Sequence, residues 1–268
     1  MVRNSRKLGR AITLGGIVAT APLIAACSSG PSFEDWAATD GAAGRINLDD
    51  VQDAFKDSKS PTEFEKRVNE IYEGDGIIFI RSSQDGETLV LEGWEDLNNN
   101  NAIDEAQDDL LFSFVKDTSD EYDLRGHGAN GYYNSHFGAG NFLFTYLIIS
   151  SLTGPRYYQT SPARGANMRQ QRNAYRQSSR YSGQVAKNSR YTSKQRSFAG
   201  SRYQQASRNV SSNRQTYQQT QRASGGFKNS SAISRSSSRS TFASRSTGGR
   251  STGGGGSQVI LGRASRYQ

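Results

Sequence analysis

Acidic residues disappear halfway along this chain: all 25 lie between Glu34 and Asp123, and none follows before Gln268. Cysteine is almost absent too, and the single Cys27 excludes an internal disulfide and a multi-cysteine metal site. The two histidines, His127 and His136, sit in a glycine-rich stretch without HExxH spacing or a cysteine partner, so they read as loop residues rather than metal ligands. No Gly-x-Ser-x-Gly elbow, phosphate loop or dinucleotide fingerprint is present, and the expected class is non-enzymatic. Long hydrophobic runs are missing as well. Ala11 to Ala26 is interrupted by Gly15, Gly16 and Pro22, and Phe142 to Leu152 is too short for the roughly 30 Å of a bilayer core.

The formal charge of +8 conceals a separation. From Arg45 to Arg125 only eight basic residues face the 25 acidic ones, which leaves the middle at −17, while the tail carries 21 Lys and Arg and no acid. Two regimes are expected, an acidic body and a basic arm.

The first 26 residues read as an export signal: basic Arg3, Arg6, Lys7 and Arg10, then an apolar stretch, then small residues. Leu23-Ile24-Ala25-Ala26-Cys27, followed by Ser28-Ser29-Gly30, resembles the lipobox of bacterial lipoproteins. That resemblance covers about thirty residues. It implies cleavage before Cys27, covalent lipid on its thiol, a membrane partner and a place in the cell envelope. Ser28 is similar to the pattern that sends such proteins to the outer membrane of Gram-negative cells. Two acyl chains anchor stably where one binds reversibly, at about 0.8 kcal/mol per buried CH₂.

In the mature chain, residues 27–44 read as a tether with one helical turn near Phe33 to Ala38. Residues 45–126 read as a small acidic α+β domain, an antiparallel β-meander with two N-terminal helices. Asn47 caps Leu48 to Lys56, and Ser60-Pro61-Thr62-Glu63 is a capping box ahead of Phe64, Val68 and Ile71 on one face. Strands are expected at Ile77 to Arg81, Leu89 to Trp94, Leu110 to Val115 and Tyr122 to Arg125, with a hairpin at Gln84-Asp85-Gly86. Residues 127–154 read as a glycine and aromatic linker plus the apolar run. Residues 155–268, rich in Ser, Arg, Gln and Tyr, are expected to be disordered, because they hold too little apolar surface to offset about 1–2 kcal/mol of ordering per residue.

Two places carry candidate chemistry. Asp96, Asn98, Asn100, the Ala102 carbonyl and Asp104 occupy alternate positions of a calcium loop, with Asn101 where glycine is usual and Gln107 where a bidentate glutamate would stand. A weak structural Ca²⁺ site is expected there, with a polar Asn-rich turn as the alternative. The arm repeats Ser-Arg-Tyr around Arg180 and Tyr181, Arg190 and Tyr191, Arg202 and Tyr203, and Arg266 and Tyr267. Arg pairs with phosphate and carboxylate and stacks on aromatic rings, which suits anionic polymers: lipopolysaccharide, wall polymer, acidic polysaccharide or extracellular DNA. Nucleic-acid binding, self-association, a calcium-dependent interaction module and a solvated spacer are alternatives. The near-cancelling charges allow one more, in which the arm folds back onto its own acidic body.

Overall fold

A computed structural model describes residues 32–85, 88–116, 121–138 and 157–229. The expected export signal, Cys27, the apolar run 142–152, and Arg266 with Tyr267 lie outside them.

Helices α1 (Phe33–Ala37), α2 (Leu48–Asp57) and α3 (Pro61–Ile71) precede strands β1 (Ile77–Asp85), β2 (Thr88–Asp96), β3 (Asp109–Lys116), β4 (Glu121–Gly126) and β5 (Asn134–Gly138). After a further strand, β6 (Tyr157–Gln159), come α4 (Pro162–Gln177), α5 (Ser179–Ala199), α6 (Ser201–Arg208) and α7 (Ser212–Ser224). The sheet order is β5-β4-β3-β2-β1-β6, with every neighbour antiparallel. The fold is α+β, and its centre is the expected meander behind two amphipathic helices.

Local chemistry accounts for the early elements. Asn47 Oδ1 accepts from Asp50 N and Ser60 Oγ from Glu63 N, so α2 and α3 begin where the capping residues stand. Glu63 reaches the backbone of Lys59 rather than that of its own cap, a looser version of the expected box. Leu48, Val51 and Phe55 of α2, with Phe64, Val68 and Ile71 of α3, pack on Ile78, Ile80, Leu91, Phe112, Phe114 and Leu124. Phe55 stacks on Phe114 at 4.0 Å between ring centroids. Asn69 completes the joint: its Oδ1 accepts from Ile78 N and its Nδ2 donates to Ile78 O, each at 2.8 Å, so α3 bonds β1 as a neighbouring strand would.

Three boundaries need correction. The tether is partly built into the fold, because Trp36 is wholly buried among Phe33, Tyr217 and Phe227. Within the linker, residues 134–138 pair with β4 and extend the sheet. Most important, 157–229 form a strand and four helices instead of a disordered arm. Composition had argued that the arm cannot bury a core of its own. It does not need one, since Met168, Tyr191, Ala199, Tyr203 and Ala206 pack against a body that already exists. The charge-based alternative, an arm folded back onto its acidic domain, describes residues 157–229.

Candidate functional site

The arm grips the body chiefly through guanidinium groups aimed at carboxylates or at main-chain carbonyls. Pro162 starts α4 at the first helical position, where its missing N–H costs nothing. Along that helix Arg164 meets Glu65, a wholly buried carboxylate that also accepts from Tyr158 Oη and Thr160 Oγ1, both at 2.6 Å. Arg172 donates to the carbonyls of Gly74, Asp75 and Gly76, and Arg176 to those of Tyr72 and Gly74. These carbonyls follow the end of α3, where cations also meet the negative end of the helix dipole. Burial pushes the Arg172 guanidinium down to about 10, so it stays charged at neutral pH.

From α7, Arg214 enters the interior with no exposed surface. Its Nε donates to Asp109 Oδ2 at 3.0 Å and its Nη2 to Glu95. Burial works against this charge, yet Glu95, Tyr72 and Asp109 hold the Arg214 pKa well above its ordinary value.

The Ser-Arg-Tyr repeat now has a structural meaning. Tyr191 and Tyr203 are buried, while Arg190 and Arg202 beside them are exposed. Tyr191 Oη lies 3.3 Å from Tyr132 Oη, and the Tyr203 ring packs on Tyr132 at 4.8 Å. Burial raises the pKa of Tyr132, Tyr191 and Tyr203. Tyr181 is half-buried and packs edge-on to Tyr175. The expected pairing of Arg and Tyr as one polymer-binding unit therefore needs correction at 191 and 203, where the tyrosines are packing groups. Arg190, Arg202 and Arg208 remain exposed and form no ion pair among the described residues. Arg180 differs from them. With Lys187, Lys66 and Arg67 it lines a cleft of about 440 Å³ that Asp50, Asp53, Asp57, Glu63 and Glu70 line as well, a setting of mixed charge.

At the other candidate, Asp96 is wholly buried and accepts from the amides of Asn100 and Asn101, both at 3.1 Å. Asn99 and Asn101 adopt left-handed backbone, φ 60° and 62°, conformations that Asn tolerates better than most side chains. Asn98 and Asn100 turn their Oδ1 atoms onto the amides of Asn100 and Ala102, and Asp104 accepts from Ala106 N and from the Gln107 side chain. Asp108, one place beyond the expected twelfth, caps the loop by accepting from Leu97 N and Asp104 N. The cation that meets these oxygens is Arg169, which donates to Asp96 Oδ2 at 2.7 Å, to Asn99 Oδ1 at 2.6 Å and to Asn101 Oδ1 at 3.3 Å. Among the described residues no cluster of three or more acidic, histidine or cysteine side chains is placed to hold a metal.

His127, read from sequence as a loop residue, lies 2.8 Å through Nε2 from Ser113 Oγ, and burial lowers its pKa. Spacing gave no sign of this pair, because β3 and β4 must be in register before the two side chains meet. Among the described residues no helix is long and apolar enough to cross a membrane. No known family model, curated protein or solved structure matches this chain.

Proposed function

We propose that this chain is an exported, non-enzymatic envelope lipoprotein, anchored by lipid on Cys27, whose basic surface binds anionic polymers of the envelope or its surroundings. In a Gram-negative cell it belongs to the outer membrane, following Ser28. The supporting observation is the division of labour in the arm. Its buried guanidiniums are used on the body, yet Arg190, Arg202 and Arg208 stay exposed, and not one acidic residue follows Asp123 to oppose them. Beyond Asn229, six further arginines run through a Ser- and Gly-rich stretch, also without an acid. Lipopolysaccharide, wall polymer, acidic polysaccharide and extracellular DNA share the closely spaced oxyanions that Arg pairs with.

Metabolic labelling with an acyl-lipid precursor tests the anchor: the parent should take up label and Cys27→Ser should not. Native material with an intact Met1 and no acyl group overturns it. For the polymer, Arg190→Gln with Arg202→Gln and Arg208→Gln should weaken binding to acidic polysaccharide and flatten its salt dependence; unchanged binding rejects this face.

A second reading, calcium at the Asp96 loop, draws on the left-handed Asn101 and the Asp96 carboxylate turned into the loop. Arg169 is its competitor. A rise in melting temperature in millimolar calcium, larger in Arg169→Gln than in the parent, supports the site; unchanged melting in both rejects it.

A further inference from the structure

We propose that residues 201–229 act as a strap whose docking completes the body, with Arg214 as the group that makes the end of the β2–β3 ladder tolerable. Glu95 and Asp109 are directly opposite each other in that ladder. Both are buried, with 0% and 3% of their surface exposed. Like charges in facing positions destabilise a sheet, and a buried charge without a counter-ion is costlier still. Inside the body, Glu95 receives hydrogen bonds from Tyr72 Oη and Gly76 N, which soften the desolvation but bring no positive charge. The charge that answers both carboxylates comes from α7, 105 and 119 positions along the chain from Asp109 and Glu95.

The surroundings are fitted to this insertion. Gly44 sits at φ +77°, and any side chain there would run into the Arg214 guanidinium. Asn213 donates to the carbonyls of Glu105 and Asp108 at 3.1 and 2.7 Å, Tyr217 Oη to Asp75 Oδ2 at 3.1 Å, and Gln218 to those of Ala37 and Ala42 at 3.3 and 3.2 Å. The strap thus ties α1, the turn before β1 and the Asp96 loop to one helix. Undocked, it leaves Glu95 and Asp109 facing each other with no paired cation, since Arg172 and Arg176 of α4, whose charges also reach Glu95, are bonded to carbonyls, and the body alone is an incomplete unit. If the chain is exported as proposed above and emerges N-terminus first, α7 follows β1 to β5, and the body would await it before closing.

The test uses the full chain. Arg214→Met keeps bulk and removes charge, and should lower the melting temperature by about 10 °C or more, or abolish the cooperative transition. Adding Glu95→Gln and Asp109→Asn to that variant should recover at least half of the loss, because no carboxylate is then left unanswered. Hydrogen exchange on the unaltered chain supplies a reading that no misfolded variant can spoil: α7 amides should be protected within tenfold of those in β2 and β3. The proposal is overturned by an Arg214→Met melt within about 2 °C of the parent, by a triple variant no better than Arg214→Met, or by α7 amides exchanging more than tenfold faster than the sheet. Lipid labelling at Cys27 and polymer binding are separate measurements, so either proposal can fail without the other.

Discussion

Helices α2 and α3 and helices α4 to α7 cover the same body by different physics. In the first pair, an apolar stripe at helical spacing is buried against the sheet, with Phe55, Phe64, Val68 and Ile71 fully enclosed. In the second group each helix places at most two apolar or aromatic side chains inside, and its hold comes from Arg164, Arg169, Arg172, Arg176 and Arg214 on carboxylates and carbonyls. A helix without an amphipathic pattern can still be ordered when a neighbour presents buried groups of opposite charge. Such interactions are valuable only where water is excluded, since exposed pairs contribute about 0–1 kcal/mol.

Substitutions can sharpen this contrast. Apart from Arg214→Met, the largest effect belongs to the apolar side: Phe114→Ala removes the ring stacked on Phe55 and should cost about 3–5 kcal/mol in denaturant unfolding. Glu65→Leu strips Tyr158, Thr160 and Arg164 of their common acceptor, and should cost about 2–3 kcal/mol while exposing α4 to early proteolysis. A loss as small as that of a surface charge would break the comparison. Tyr191→Phe keeps the packing and removes only the hydroxyl that meets Tyr132, so about 1 kcal/mol is expected.

His127 offers a pH-dependent case. Its pKa is depressed by burial, so its contribution is present above the unfolded value near 6.5 and is lost as pH falls through the lower folded value. Melting temperatures at pH 7 and 5 should therefore differ more in the parent than in His127→Gln; equal differences would remove His127 from the account. Smallest of all, Arg190→Gln, Arg202→Gln and Arg208→Gln together should leave stability within about 0.5 kcal/mol per site while altering polymer binding.

The body was legible because its signals are local. Asn47 and Ser60 mark helix starts by capping, Gln84-Asp85-Gly86 marks a reversal, and short apolar runs bounded by turns mark β1 to β3. β5 escaped notice because Asn134-Ser135-His136-Phe137-Gly138 has little strand character and is held by β4 beside it. The arm was misjudged for a related reason. A count of aliphatic residues measures whether a segment can fold alone, and this segment folds on another. At the Asp96 loop the turn chemistry was readable, down to the left-handed Asn101, but nothing in nine contiguous residues announces that Arg169 will sit on them.

The sequence by itself determined the charge division, the capped helices and the meander, because propensity, capping and turn chemistry act between residues a few positions apart. Tertiary structure alone decided which arginines are buried and which face water, since a guanidinium's role depends on whether a carboxylate from 105 or 119 positions away, as for Arg214, waits in a dry place to receive it.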